Sequence, residues 1–170
     1  MDQTFQLLSE CVLFRNLERR EKEALFSRVR IRDFAASEAI FVIGSPGDSM
    51  MIVLGGRVQI GVPSPKGRPH VLAIPSPGGV FGEIALLDGR ARSADAIAIT
   101  ACSLAIIDRR DYLVFLEQNP SAWRNIVVLM RGAEATPSPE RKTLLPETGR
   151  QLPRSRSGFA GRRSPADGKG

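Results

Sequence analysis

Residues 81–94 place a carboxylate and a guanidinium group in one short stretch that is otherwise mostly apolar or small. Glu83 stands near its start and Arg92 near its end. The guanidinium group of arginine is a planar set of donors that matches phosphate oxygens better than a lysine does. A carboxylate repels a neighbouring anion unless it accepts a hydrogen bond from a hydroxyl group of the ligand or pairs with the arginine. The two residues therefore predict a site for an anion that also carries a hydroxyl group.

Small residues beside this pair would let a ligand approach the main chain. Gly82 and Ala85 leave room for backbone amides, and the segment between them is suited to begin a helical turn whose amides point at an anion. Ser93 adds a further amide or hydroxyl donor. A plain salt bridge between Glu83 and Arg92 accounts for the same residues, and their spacing alone does not separate the two interpretations.

The apolar runs between Arg30 and Asp108 are short, rich in valine and isoleucine, and interrupted by glycine or proline every ~8–12 residues. The predicted strands are 30–34, 39–43, 50–54, 57–62, 70–74, 93–99 and 103–107. So many short strands in one small domain predict a closed or two-sheet β architecture. With the helices beside them, the predicted fold class is mainly β with flanking helices (α+β), a barrel or jelly roll.

Helical periodicity lies on both sides of this β region. Helices are predicted over 4–14, 18–29, 109–118 and from Ser121 to about 131. The expected organisation is N-terminal helices packing on the barrel (1–29), a β jelly roll (30–108) and C-terminal helices (109–131). The apolar stripe of the last helix favours packing on the barrel, and a homodimer contact with a partner helix is the alternative.

The last part of the chain, 132–170, differs in composition from everything before it. Residues 1–130 carry 15 Lys and Arg against 14 Asp and Glu, a net charge of +1, whereas residues 131–170 carry 9 against 4, a net charge of +5. Residues 131–170 also hold 6 glycines and 5 prolines. Such a segment buries too little apolar area to offset chain entropy. We expect a disordered, solvated basic tail, with weak nucleic-acid contact as the less favoured alternative.

Several classes of function are disfavoured by the residues available. Cys11 and Cys102 lie in apolar surroundings typical of buried thiols, and His70 is the only histidine. A zinc site, an iron–sulfur cluster or a cupin-type metal enzyme is therefore not expected. No apolar run approaches the ~20 residues of a membrane span, and the start of the chain lacks a basic segment. We expect a non-catalytic cytoplasmic protein that has no cofactor and does not enter a membrane.

Three motifs occur together along the chain: Gly44-Ser-Pro-Gly-Asp48, Gly55-Gly-Arg57, and Phe81-Gly-Glu-Ile-Ala-Leu-Leu followed by Arg92-Ser-Ala94. They resemble the cyclic-nucleotide-binding domain, most closely that of bacterial regulators of the catabolite activator protein and Fnr type, over about residues 12–130. The resemblance implies a double-stranded β-helix (jelly-roll) sensor of a cyclic nucleotide, with cAMP expected, and a phosphate-binding cassette over residues 81–94.

The resemblance also implies a role for single residues of this cassette. The family residue that matches Glu83 binds the ribose 2′-hydroxyl, and the one that matches Arg92 binds the cyclic phosphate. The remaining residues implied to line the cassette are Gly82, Ile84, Ala85 and Ser93. The ligand would therefore touch the five residues whose types predict an anion and hydroxyl site, and Ile84 in addition.

Two features depart from the family pattern. Asp95 follows the Arg-Ser-Ala motif where an uncharged residue is usual; it would repel a phosphate from an inward face and have no effect on an outward one. In family regulators a long last helix dimerises and leads to a helix-turn-helix, but no such segment follows residue 131 here. DNA binding is thus expected of the family and not of this chain, which we expect to be truncated before its DNA-binding domain.

Two further interpretations remain open. The abrupt change of composition near residue 131 suggests a shifted reading frame, which the other two frames of the nucleotide sequence would test. A degenerate module that keeps the fold for protein–protein contact is the alternative to a nucleotide sensor.

Overall fold

The computed structural model describes residues 2–135. Its helices are α1 (Gln3–Glu10), α2 (Arg19–Phe26), α3 (Glu83–Asp88), α4 (Arg109–Gln118) and α5 (Trp123–Ala135). Its strands are β1 (Val29–Phe34), β2 (Ala39–Phe41), β3 (Ser49–Gly55), β4 (Val58–Val62), β5 (His70–Ala73), β6 (Val80–Phe81), β7 (Asp95–Ala98) and β8 (Cys102–Asp108). The strands form two antiparallel sheets, in the orders β1-β8-β3-β6 and β2-β7-β4-β5. The predicted fold, a mainly β jelly roll with flanking helices, is confirmed.

Strand β3 is buried on both of its faces. Met51 and Val53 belong to the core between the two sheets, whereas Met50 and Ile52 belong to the core between the first sheet and the helices. Successive side chains of a strand point to opposite faces, so a strand covered on both sides needs an uninterrupted apolar run. The sequence SMMIVLG of β3 meets this requirement.

The helices cover the outer face of the first sheet. Leu8 of α1, Leu25 of α2 and both Tyr112 and Phe115 of α4 are fully buried in that core. The rings of Tyr112 and Phe115 stack with their centroids 6.1 Å apart. The helices are thereby packed against β3, the strand that pairs with β6 and so leads to residues 81–94.

Some element boundaries differ from the predicted ones. Helix α1 ends at Glu10, earlier than predicted, because Cys11 takes an extended conformation. Strand β7 begins at Asp95 rather than at residue 93. The two-residue strand β6 was not predicted, since two residues are too few for an alternating pattern to show.

Helix α5 continues beyond the predicted end of the C-terminal helices at residue 131. It runs to Ala135 and includes Gly132, which was predicted to end regular structure. A glycine inside a helix costs only about 1 kcal/mol relative to alanine, so it does not by itself end one. The prediction of a disordered tail over 132–170 lies, beyond Ala135, outside the described residues. Within the described residues, no helix is both long and apolar enough to span a membrane.

Candidate functional site

The candidate site begins at the turn between β6 and α3. Strand β6 pairs with β3 through Met51 and Phe81, and the next residue, Gly82, takes a left-handed conformation with φ 79° before α3 begins at Glu83. This conformation favours glycine, since a Cβ atom is unfavourable there. A Cβ on Gly82 would also lie 2.7 Å from Nη1 of Arg92. Glycine at this position therefore permits both the turn into α3 and the close approach of the arginine.

Arg92 is buried beneath this turn, with a relative exposure of 4%. Its Nη2 donates to the carbonyl oxygen of Ser49 at 2.6 Å and to Ser49 Oγ at 3.1 Å, and its Nη1 donates to the carbonyl oxygen of Gly82 at 3.1 Å. The guanidinium group lies 4.2 Å from the ring centroid of Phe41. Its Nε is buried and has no hydrogen-bond partner among the described residues. A cation is thus held in the protein by neutral acceptors alone, with one donor unused.

Burial shifts the pKa of both charged groups of the site. It lowers the pKa of Arg92, an effect that the nearby charges of Asp48 and Glu83 oppose. It raises the pKa of Glu83, opposed by the backbone amide of the same residue and by the charge of Arg92. No ion pair within 4.0 Å joins Glu83 to Arg92 in the described part of the chain. The salt bridge that the spacing left open is therefore not formed in this structure.

Residues 44–48 pack directly against the cassette. The amide of Gly44 donates to the carbonyl oxygen of Arg92 at 2.8 Å, and the amide of Arg92 donates to the carbonyl oxygen of Ser45 at 2.8 Å. A Cβ on Gly47 would overlap Ala85 Cβ and the carbonyl oxygen of Arg90. From the sequence, this segment was identified only as one of the motifs that resemble the family. Its second glycine was the one signal of close backbone contact.

Asp95 lies on the outward face of β7, which decides between the two orientations considered for it. Ala96 and Ala98 point into the core between the sheets, so Asp95 and Ile97 point away from it. Asp95 Oδ1 accepts a hydrogen bond from the amide of Ile43 at 2.7 Å. The carboxylate of Asp95 is therefore hydrogen-bonded to the segment that follows β2. An outward position had been expected to leave the residue without a role.

The six predicted site residues differ in exposure. Ala85 and Arg92 are buried, Gly82 and Glu83 are half-buried, and Ser93 is exposed. Ile84 is 52% exposed, so its side chain faces largely outward. The side chain of Arg92 binds the carbonyl oxygen of Gly82, and the charge of Glu83 acts on the pKa of Arg92.

Arg109, the first residue of α4, connects three parts of the structure around the cassette. Its Nε donates to the carbonyl oxygen of Leu86 in α3 at 2.8 Å, and its amide donates to the carbonyl oxygen of Asp48 at 2.7 Å. Its guanidinium group lies over Gly89, where an added Cβ would approach Nη2 to 3.2 Å. The contact was not predicted from the sequence, because it depends on the position of α4 relative to α3.

Comparison with known proteins yields one family and several relatives. Residues 31–119 match the family described as the cyclic nucleotide-binding domain. The chain is 32% identical over 104 residues to a CRP-like cAMP-activated global transcriptional regulator of Mycobacterium tuberculosis, a match covering 61% of this chain and 46% of that protein. It is 31% identical over 118 residues to the cyclic AMP receptor protein of Thermus thermophilus, covering 69% and 55%. The chain therefore spans about half the length of these curated relatives.

A solved structure resembles the described fold. The N-terminal domain of a transcriptional regulator from Streptomyces coelicolor A3(2) superposes with a TM-score of 0.66 and is 25% identical in sequence. The match covers 84% of this chain and 99% of that one. The similarity thus extends over nearly the whole of that solved domain.

Proposed function

This chain belongs to the cyclic nucleotide-binding domain family, and we propose that its cassette, residues 81–94, binds a cyclic nucleotide, with cAMP as the preferred ligand. The observation that carries the proposal is the state of Arg92: its guanidinium group is buried, and within residues 2–135 its hydrogen-bond partners are neutral and its Nε has none. A buried charge whose hydrogen bonds end on uncharged groups is unfavourable, and an anion would supply a charged partner. The preference for cAMP rests on the names of the bacterial relatives, a cAMP-activated regulator and a cyclic AMP receptor protein.

Each cassette residue has a role in this proposal. Arg92 binds the cyclic phosphate, exchanging contacts with neutral carbonyl oxygens for charge-assisted hydrogen bonds. Glu83 accepts a hydrogen bond from the ribose 2′-hydroxyl; its carboxylate is half-buried, where a hydroxyl donor replaces lost hydration. The backbone of Gly82 and Ala85, together with Ile84 and Ser93, lines the rest of the ligand.

The proposed role is regulatory and not catalytic. A nucleotide bound between the cassette and the sheets would favour one arrangement of α3 over another, and Arg109 links α3 to the start of α4. The chain would act as the nucleotide-sensing part of a transcriptional regulator of the Crp/Fnr type. No step of this scheme requires a bond to be made or broken.

We also propose that α5 forms a homodimer contact. Trp123, Val127 and Val128 are apolar residues of this helix that are 47%, 50% and 51% exposed. Apolar side chains clustered on one exposed helix are typical of surfaces that pack against another protein. A second copy of the chain presents the same apolar helix and would cover it by twofold packing.

Thermal unfolding with and without nucleotide tests the proposed ligand. At about a hundredfold excess over Kd, a ligand that binds only the folded state stabilises it by about 2.7 kcal/mol. We expect cAMP to raise the Tm of the wild-type chain, Arg92→Leu to abolish the rise, and Glu83→Ala to reduce it. Arg90→Leu removes an exposed arginine two positions before Arg92 and should leave the rise unchanged.

A degenerate module remains the second candidate, favoured by one observation. The donors Nη1 and Nη2 of Arg92 already have partners in Gly82 and Ser49, so the cassette is held together without a ligand. If neither cAMP nor cGMP at millimolar concentration raises the Tm of the wild-type chain, the degenerate module is the better account.

A further inference from the structure

A cleft of about 420 Å³ opens between the two sheets beside β1 and β2. Small-molecule sites in proteins have volumes of ~300–1,000 Å³, so the cleft is large enough for a ligand of one or two rings. Among the six proposed nucleotide-binding residues, only Arg92 lines it. The cleft is therefore distinct from the proposed nucleotide site, although the two share one arginine.

The inner part of the cleft, its floor, is apolar and partly aromatic. The floor residues are Phe34, Ile40, Phe41, Met51 and Ile106. All five also belong to or pack against the core between the sheets, and Ile40 and Phe41 are the two that are only half-buried. A ligand would cover apolar surface here, which favours the binding of an apolar body.

The lining of the cleft carries an excess of positive charge, and its exposed arginines, Arg30 and Arg32, form the outer part of the cleft, its rim. Arg30, Arg32 and Arg92 contribute three guanidinium groups against the two carboxylates of Asp48 and Asp108, a net charge of +1. Arg30 pairs with Asp108 at 2.6 Å on the exposed surface. The balance therefore favours a ligand with one negative charge.

Arg32 is the least committed of the exposed arginines at the rim. Its only ion pair among the described residues is a 3.5 Å contact with Glu38, in which both side chains are well exposed. An exposed pair of this kind contributes little free energy. The guanidinium group is thus available to a ligand anion at small cost.

Two guanidinium groups stack on the aromatic rings of the floor. The Cζ of Arg32 lies 4.5 Å from the ring centroid of Phe34, and that of Arg92 lies 4.2 Å from the ring centroid of Phe41. Guanidinium planes and phenylalanine rings both bind the face of a further aromatic ring. The outer face of the exposed Arg32 guanidinium group thus favours a planar aromatic ligand over an aliphatic one.

Two buried polar groups complete the cleft. Arg92 and Ser49 are only 4% and 7% exposed, and the Nε of Arg92 has no partner within the described chain. Most small-molecule sites combine an apolar lining with a few such fixed polar groups.

We infer that this cleft is a second small-molecule site, which binds an aromatic monoanion such as an aromatic carboxylate. The ring lies beside the half-buried Ile40 and Phe41, and the carboxylate faces Arg32 at the rim. The inference goes beyond the proposed nucleotide binding and does not require it.

Titration of the ¹⁵N-labelled full chain with 2-naphthoate, in the absence of nucleotide, tests the site. We expect saturable amide shifts concentrated at residues 30–34, 46–49 and 106–108. Arg32→Glu reverses the free charge of the rim and should weaken binding about fivefold or more. Arg20→Glu makes the same charge change on the exposed surface of α2, does not line the cleft, and should leave the affinity unchanged.

Three results would overturn the inference. They are the absence of saturable binding at millimolar naphthoate, shifts centred on residues 82–85 or on α5, and equal affinity of the Arg32→Glu and wild-type chains. Because no nucleotide is present, a failure of the proposed cAMP binding leaves each of these results interpretable.

Discussion

Arg92 combines burial with a charge that no carboxylate neutralises at close range. The guanidinium group lies under Gly82 and over Phe41, and its hydrogen bonds end on uncharged oxygens. Holding a charge in this way lowers its pKa, which means that burial disfavours the charged form. Burying the charge of Arg92 costs free energy in the unliganded protein. A bound anion would offset this cost because it supplies a charged partner, and the offset would contribute to the affinity.

Glu83→Gln should stabilise the free protein at neutral pH. Burial raises the pKa of Glu83 above its ordinary value, so the folded state disfavours the charged carboxylate. This loss of stability grows as the pH rises through the raised pKa and vanishes below the ordinary pKa, where the group is protonated in both states. We expect the variant to have a higher Tm than wild type at about pH 7.5 and the same Tm as wild type at about pH 3.5. Thermal unfolding across this pH range measures the difference, and a lower Tm of the variant at neutral pH would contradict the assignment.

Gly47→Ala should destabilise the protein by about 1–3 kcal/mol, as overpacking in a close contact does. The new methyl group would overlap Ala85 Cβ and the carbonyl oxygen of Arg90, both of which lie in or beside the cassette. Gly55→Ala is the matched control, because a Cβ at Gly55 meets no atom within 4 Å. Urea unfolding of both variants compares the two positions. Equal stability of the two variants would contradict the close packing of Gly47 against the cassette.

At the scale of elements, α3 is fixed from two directions. Residues 44–48 pack on its first turn, and Arg109 of α4 binds the carbonyl oxygen of Leu86 near its end. The same Arg109 holds Asp48 through its backbone amide. A displacement of α3 would therefore change its contacts both with residues 44–48 and with the start of α4.

Arg109→Met should lower the free energy of unfolding by about 1.5 kcal/mol or more, the usual contribution of a hydrogen bond that involves a charged group. Methionine keeps an unbranched side chain but leaves the carbonyl oxygen of Leu86 without this donor. The amide of Gly89, which donates to Ala85, should exchange with solvent faster in the variant. Arg110→Met changes the exposed neighbour and should shift stability by less than about 0.5 kcal/mol. Similar effects of both substitutions would argue that the contact does not fix α3.

The sequence predicts elements well where the pattern is local. The double burial of β3 shows as a continuous apolar run, and the helix over Arg109–Gln118 has the bounds that the structure gives α4. Contacts that depend on tertiary position do not show in this way. The bond from Arg109 to Leu86 joins residues far apart in the chain.

The site was predictable in composition but only partly in arrangement. Gly82, Glu83 and Arg92 were chosen by residue type, and the structure brings them into one place. That Arg92 would bind main-chain oxygens and Phe41, and not Glu83, depends on how β2 and β3 pack beside the cassette. The hydrogen bond of Asp95 to Ile43 likewise depends on the pairing of β2 with β7.

At the scale of the whole molecule, the exposed apolar residues of α5 determine the expected assembly. Val127→Glu places a charge in the proposed homodimer contact, where its burial would be unfavourable. Sedimentation velocity should show a dimer for wild type and a monomer for this variant. Ile31→Glu is the control, because Ile31 is exposed to a similar degree, 53% against 50%, but lies on β1. A monomeric wild-type chain would contradict the proposed dimer.

If Arg92 and Glu83 hold the phosphate and the ribose of one nucleotide, the contribution of the 2′-hydroxyl to binding depends on the carboxylate of Glu83. Calorimetric titration of wild type and Glu83→Ala with cAMP and 2′-deoxy-cAMP tests it most directly, since the four affinities isolate the contact between the carboxylate and the 2′-hydroxyl. We predict that removing the hydroxyl weakens binding to wild type about tenfold or more and hardly changes binding to the variant. An equal loss in both proteins, or no binding of either nucleotide to wild type, would contradict the account.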